Sequence, residues 1–143
     1  MPGTKKIQVH PINNKADLEK AFAIRTTVFV DEQNCPPHLE RENEEVSHHF
    51  LATIDDVPAG ASRWRQTDKG IKLERFAVLK EYRGAGVGQE LVKAVLADLP
   101  TDAEHVYLHA QTPAVSLYER FGFVKVGDEF EEAGIWHFKM MRK

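Results

Sequence analysis

The 143-residue sequence predicts an α+β fold: a mixed, mostly antiparallel sheet of six to seven strands flanked by about four helices. Three observations predict it. Strand-like runs follow one another across tight turns from 47 to 79, an amphipathic helix follows a glycine-rich turn at 84–88, and strand and helix patterns alternate after Pro100.

In chain order, residues 6–10 read as a first strand. Asn13 or Asn14 can cap a helix running to about Val30, because a short side-chain oxygen accepts the first orphan N–H groups. Its apolar face is Leu18, Phe22, Val28 and Phe29. Residues 31–46 are acidic and contain Pro36-Pro37, so a loop with one short helix is expected. Runs 47–54 and 57–66 are separated by Asp55-Asp56, which suits a tight hairpin, and 71–79 continues the meander after a turn at 67–70. Val87, Leu91, Val92, Val95, Leu96 and Leu99 follow one helical face over 86–99. A strand at 104–110, a helix at 113–121 stopped by Gly122, and strands at 123–130 and 135–141 complete the order β-α-α-β-β-β-α-β-α-β-β.

Composition narrows the function classes. The length suits one domain, 1–143, and 42% apolar with 29% charged residues lies outside the regime of disorder. No apolar run approaches a membrane span and the stretch from Met1 to Lys6 is polar, so a cytoplasmic protein is expected. A net charge of -3 gives no general case for nucleic acid. The single Cys35 cannot form an internal disulfide, and the seven histidines are scattered, so no metal is expected.

The chemistry concentrates in two segments. In IKLERFAVLKEYRGAGVGQEL, residues 71–91, a strand enters a glycine-rich turn and then a helix. Gly84, Gly86 and Gly88 allow backbone N–H groups to approach an anion, and a helix N-terminus adds its own donors. Gln89 stands where G-x-G-x-x-G requires its third glycine, and no G-K-[ST] follows, so dinucleotide and P-loop sites are disfavoured.

Arg83-Gly84-Ala85-Gly86-Val87-Gly88 resembles the R/Q-x-x-G-x-G/A signature of the GNAT acyltransferases, and L-Y-E-R-F-G-F at 117–123 is similar to that superfamily's L-Y-E-x-x-G-F helix end. The resemblance covers essentially the whole chain. It implies a GNAT-like sheet and acetyl-CoA as cosubstrate, with Phe76, Ala77 and Val78 bonding pantetheine through their main chain. Arg83, Gly84, Ala85, Gly86, Val87 and Gly88 are then the pyrophosphate cradle, and Tyr118 the group that protonates the departing thiolate. Gln111, with Thr112, stands where the family commonly has asparagine.

An acceptor ammonium must lose a proton before it attacks a thioester. Glu74 is the first candidate base, since LERFAV is similar to the I-E-D-I-A-V strand of glucosamine-6-phosphate N-acetyltransferases, and His109 is the second. The resemblance implies acetyl transfer in a ternary complex to the amine of a small molecule such as an amino sugar or polyamine. A homodimer is also expected from it. Arg25, Arg63 and Arg65 suit an anionic acceptor, whereas Glu40, Glu42, Glu44 and Glu45 suit a polyamine, and the two readings remain open.

Overall fold

A computed structural model describes residues 6–143; the polar start of the chain, 1–5, lies outside the described residues. The strands are β1 Ile7–Pro11, β2 His48–Ile54, β3 Val57–Thr67, β4 Gly70–Val78, β5 Val106–Gln111, β6 Phe123–Glu132 and β7 Ile135–Arg142. They form one seven-stranded sheet in the order β1-β2-β3-β4-β5-β7-β6. Every pairing is antiparallel except that of β4 with β5.

The β2–β3 hairpin turns on two aspartates at φ 48° and 68°, the left-handed pair of a type I′ turn, which aspartate tolerates better than most residues. Helix α1, Lys15–Arg25, starts where Asn14 Oδ1 accepts from the Asp17 N–H at 2.8 Å. The expected uniform helix to Val30 instead widens into a π-helical stretch, Thr26–Glu32. Thr26, Thr27, Val28 and Val30 are β-branched and crowd an α-helical turn, and such wide turns cluster at functional sites. Helix α2 is the single turn Pro37–Glu40.

Helix α3, Val87–Asp98, lays Val87, Leu91, Val92 and Val95 on the sheet. It comes close because β3 carries Gly60 beneath it: a Cβ there would lie 2.9 Å from the Ala77 carbonyl and 3.0 Å from Val87 Cγ1. Helix α4, Val115–Glu119, is shorter than the expected 113–121, because Thr112–Ala114 forms a 3₁₀ turn, and Gly122 at φ 88° ends the segment.

Phe50, Trp64, Leu73, Leu108, Phe123 and Met140 form the core with α3 and α4. Against the opposite face, Ile24 of α1 and Val28 of the π stretch cover only Leu51, Ala61 and Ala77. Cross-strand register extends that face into polar residues, since Arg63 pairs with Glu74 and Arg65 with Lys72. Among the described residues no helix is long and apolar enough to cross a membrane, and no cluster of His, Cys, Asp and Glu is arranged to hold a metal.

Candidate active site

The site begins with a defect in strand pairing. β4 and β5 are in register only from Ile71↔Val106 to Leu73↔Leu108. Beyond Leu73 they part, so the backbone edge from Glu74 to Val78 borders a gap. The divergence coincides with a bulge in β4, where register with β3 shifts between Ala61 and Arg63 and Arg75 adopts φ 60°. A left-handed arginine costs about 1 kcal/mol or more and persists only when its surroundings impose it. They do so here: Arg75 Nε donates to the Glu40 carbonyl at 3.1 Å and Nη2 to the Leu39 carbonyl at 2.9 Å.

Tyr118 of α4 lies at the floor of this gap, 6% exposed, with its ring edge-on to Phe76 at 5.7 Å and to Phe123 at 6.2 Å. Burial pushes its phenol well above the ordinary range, so it stays protonated at neutral pH. Phe76, Ala77 and Val78 all sit on the open β4 edge.

At the end of that edge the glycine turn takes the conformation its composition allows. Gly84 and Gly86 have φ 84° and 95°, and Gly86 caps α3 without any side chain bonding the first-turn N–H groups. Val87 is buried in the core, and a Cβ added at Gly88 would lie 3.4 Å from Leu117 Cδ2. Ala85 is exposed. Arg83 donates Nε to the Val78 carbonyl at 3.0 Å and pairs Nη2 with Glu32 at 2.9 Å. An open strand edge ending at uncapped helix donors fits the pantetheine and pyrophosphate of a CoA thioester.

Above the gap lies a cavity of about 330 Å³, bounded by the π stretch, α2, the centre of the sheet and the β6–β7 turn. His109 and His137 line it. His109 Nδ1 lies 3.2 Å from Glu132 Oε2, and this hydrogen bond, against burial, holds the Glu132 carboxyl below its usual value. Since a carboxylate accepts, Nδ1 carries the proton and Nε2 of neutral His109 is left with its lone pair. His137 Nδ1 likewise donates to the Ile135 carbonyl at 2.7 Å. Gln111 is engaged with Gln33 of the facing segment through two amide hydrogen bonds of 2.9 and 3.3 Å.

Glu74 stands in a different environment. Burial by itself pushes its carboxyl up, but Arg63, Arg75, Lys72 and a hydrogen bond from Arg65 outweigh it and hold the group at about 2. Its Oε1 accepts from Arg63 Nη2 at 2.8 Å and from Arg65 Nε at 2.6 Å. Arg25 and Arg63, expected to meet an acceptor, are instead each 1% exposed or less and locked to Glu40, Glu44 and Glu74. The acidic loop is therefore in part an internal counterion: Glu40 is itself 1% exposed. Glu132, His137 and Gln33 were not foreseen from the sequence.

The model for the Acetyltransferase (GNAT) domain matches residues 14–143, a stretch that includes the splayed parallel strands, the glycine turn opening a helix and the buried tyrosine. The chain belongs to the GNAT acetyltransferases and is an acyltransferase. It is 42% identical over 132 residues to the uncharacterized N-acetyltransferase YjcF of Bacillus subtilis (strain 168), covering 90% of this chain and 94% of that protein. It is 32% identical over 139 residues to ElaA of Escherichia coli (strain K12), covering 90% and 88%. The crystal structure of Escherichia coli ElaA superposes with a TM-score of 0.80 at 28% identity over 97% of this chain and 99% of that one. A GNAT family acetyltransferase from Elizabethkingia anophelis with acetyl-CoA bound shares the fold, with a TM-score of 0.68 at 16% identity over 94% of each chain.

Proposed function

We propose that this transferase moves the acetyl group of acetyl-CoA directly onto the primary amine of a small molecule while both are bound. One observation carries the reading: the gap between β4 and β5, floored by Tyr118, opens into the cavity that holds His109 and Glu132. Acetyl-CoA supplies an activated acyl carbon as a thioester. The chain's own residues do the rest. Phe76, Ala77 and Val78 present the open backbone edge, and Gly84, Ala85, Gly86, Val87 and Gly88 with Arg83 receive the pyrophosphate.

His109 Nε2, its ring fixed by Glu132, takes the proton of the acceptor ammonium. Glu74 is the weaker candidate, because a carboxylate held at about 2 retains little affinity for a proton at neutral pH. Its part is to order the cations around it. Tyr118 Oη, kept protonated by burial, donates toward the departing sulfur. Fixing the two reactants together contributes on the order of 7 to 11 kcal/mol at best. Burial pushes the Cys35 thiol up, which favours direct transfer over an acyl-cysteine. The proposal includes a cytoplasmic location, one 1–143 domain, no metal, and a homodimer that light scattering tests.

The experiment is thiol release from acetyl-CoA against amino sugars, their phosphates, polyamines, amino acids and lysine peptides, paired with thermal shift by acetyl-CoA. Turnover with a small amine supports the proposal. A shift with turnover only on peptides moves the acceptor to proteins, and the absence of any shift overturns the donor assignment.

A further inference from the structure

The cavity wall carries Arg65, Lys72 and Arg75 beside Glu40, Glu42, Glu74 and Glu132, and these charges are unevenly paired. Arg25, Arg41, Arg63, Arg65, Lys72 and Arg75 share only Glu40, Glu44 and Glu74. The two deepest arginines, Arg25 and Arg63, hold most of those oxygens. Lys72 is left in a different state. Its side chain is only 14% exposed and lines the cavity, and its nearest carboxylate oxygen, Glu74 Oε2, is 3.5 Å away. Arg65, also on the cavity, gives Nε to Glu74 and leaves both terminal nitrogens without an acceptor among the described residues.

Glu74 Oε1 is already taken by Arg63 and Arg65, so Lys72 keeps only a 3.5 Å contact to Oε2, and an anionic ligand group supplies the acceptors that the part-buried cations lack. The Lys72 charge reaches Glu132 and helps to hold its carboxyl low, but within 4 Å the only carboxylate that Lys72 and Arg65 meet among the described residues is Glu74. Glu42 and Glu132 are exposed at the rim, and Glu132 is engaged with His109. Lys72 is level with Tyr107 on β5, two residues before His109 on the same face, so cations and base flank one space.

We infer that the acceptor is a small amine that also carries an anionic oxygen group, a carboxylate or a phosphate, seated on Lys72 and Arg65 while its amine meets His109. The inference rests on the proposed acetyl transfer and narrows its substrate class. It disfavours polyamines, because Glu40 and Glu44 of the acidic loop already neutralise Arg25 and Arg63.

The test compares matched acceptors with the full chain: glucosamine 6-phosphate against glucosamine, phosphoethanolamine against ethanolamine, β-alanine against propylamine, and spermidine. The anionic member of at least one pair is expected to exceed its neutral partner in kcat/KM by about 10- to 100-fold, and the winning pair separates phosphate from carboxylate. K72M should collapse that ratio toward one and K72R should restore most of it, with acetyl-CoA thermal shift confirming that each variant is folded. A second readout is independent of turnover. Inorganic phosphate or acetate, titrated into protein saturated with coenzyme A, should bind in the wild type at least tenfold more tightly than in K72M. Preference for neutral amines or spermidine overturns the inference while leaving acetyl transfer standing. Absence of anion binding, or equal binding in K72M, overturns it even if no acceptor in the panel reacts.

Discussion

Replacing Glu74 with glutamine removes the one charge that Arg63, Arg65, Lys72 and Arg75 share. The side chain is nearly isosteric, so the change is electrostatic. Held at about 2 rather than the ordinary 4.5, the carboxyl contributes about 3 kcal/mol of stability at 1.36 kcal/mol per pH unit. That agrees with the roughly 3 to 5 kcal/mol expected when one partner of a buried ion pair is lost. The sign follows from the depressed value. The contribution is complete above about pH 4.5 and is lost as pH falls toward 2, with about 2 kcal/mol gone by pH 3. Urea unfolding of wild type and E74Q should therefore differ by about 3 kcal/mol at pH 7 and by about 1 kcal/mol at pH 3. A difference under about 1 kcal/mol at pH 7, or one that does not shrink with acid, refutes the assignment of Glu74 as the counterion of this cluster.

The other predictions concern the cleft. Tyr118→Phe should keep acetyl-CoA affinity, read by calorimetry, while kcat falls about 10²-fold or more; unchanged turnover removes the phenol from the chemistry. His109→Gln should lower kcat about 10²-fold or more, and Glu132→Gln should lower it by less, because only the partner of His109 Nδ1 changes; unchanged turnover in H109Q points to another base. Gly60→Ala should cost about 1 to 3 kcal/mol in urea titrations, since its Cβ meets the Ala77 carbonyl at 2.9 Å and α3 must move. Gly84→Ala should weaken acetyl-CoA binding through backbone strain alone, because φ is 84° and no atom lies within 4 Å of the new methyl.

Local chemistry made the scaffold legible. Asn14, Asp55-Asp56, the periodicity of Val87, Leu91, Val92 and Val95, and Gly122 each act within a few residues of themselves, and each stands where its pattern placed it. The bulge at Arg75 left no such mark, because a left-handed arginine is imposed by carbonyls of Leu39 and Glu40, more than thirty residues away. The π stretch had a weak signal in its run of β-branched residues, which disfavour a tight helix without specifying a wide one. His109 could be named as a candidate, but its partner Glu132 is delivered by β7 inserting between β5 and β6, a topology no local pattern encodes. The roles of Arg25, Arg63 and the acidic loop depended on the same thing: charges that are distant in sequence cancel one another in the interior.

The most direct test of acetyl transfer through this cleft is mass spectrometry after incubation with acetyl-CoA labelled in its acetyl group, reading both the amine acceptor and the intact protein. The account predicts label on the acceptor amine and none retained on the protein. A stable labelled protein adduct at Cys35 that passes its acetyl group to the amine, or consumption of acetyl-CoA with label only in free acetate, contradicts it.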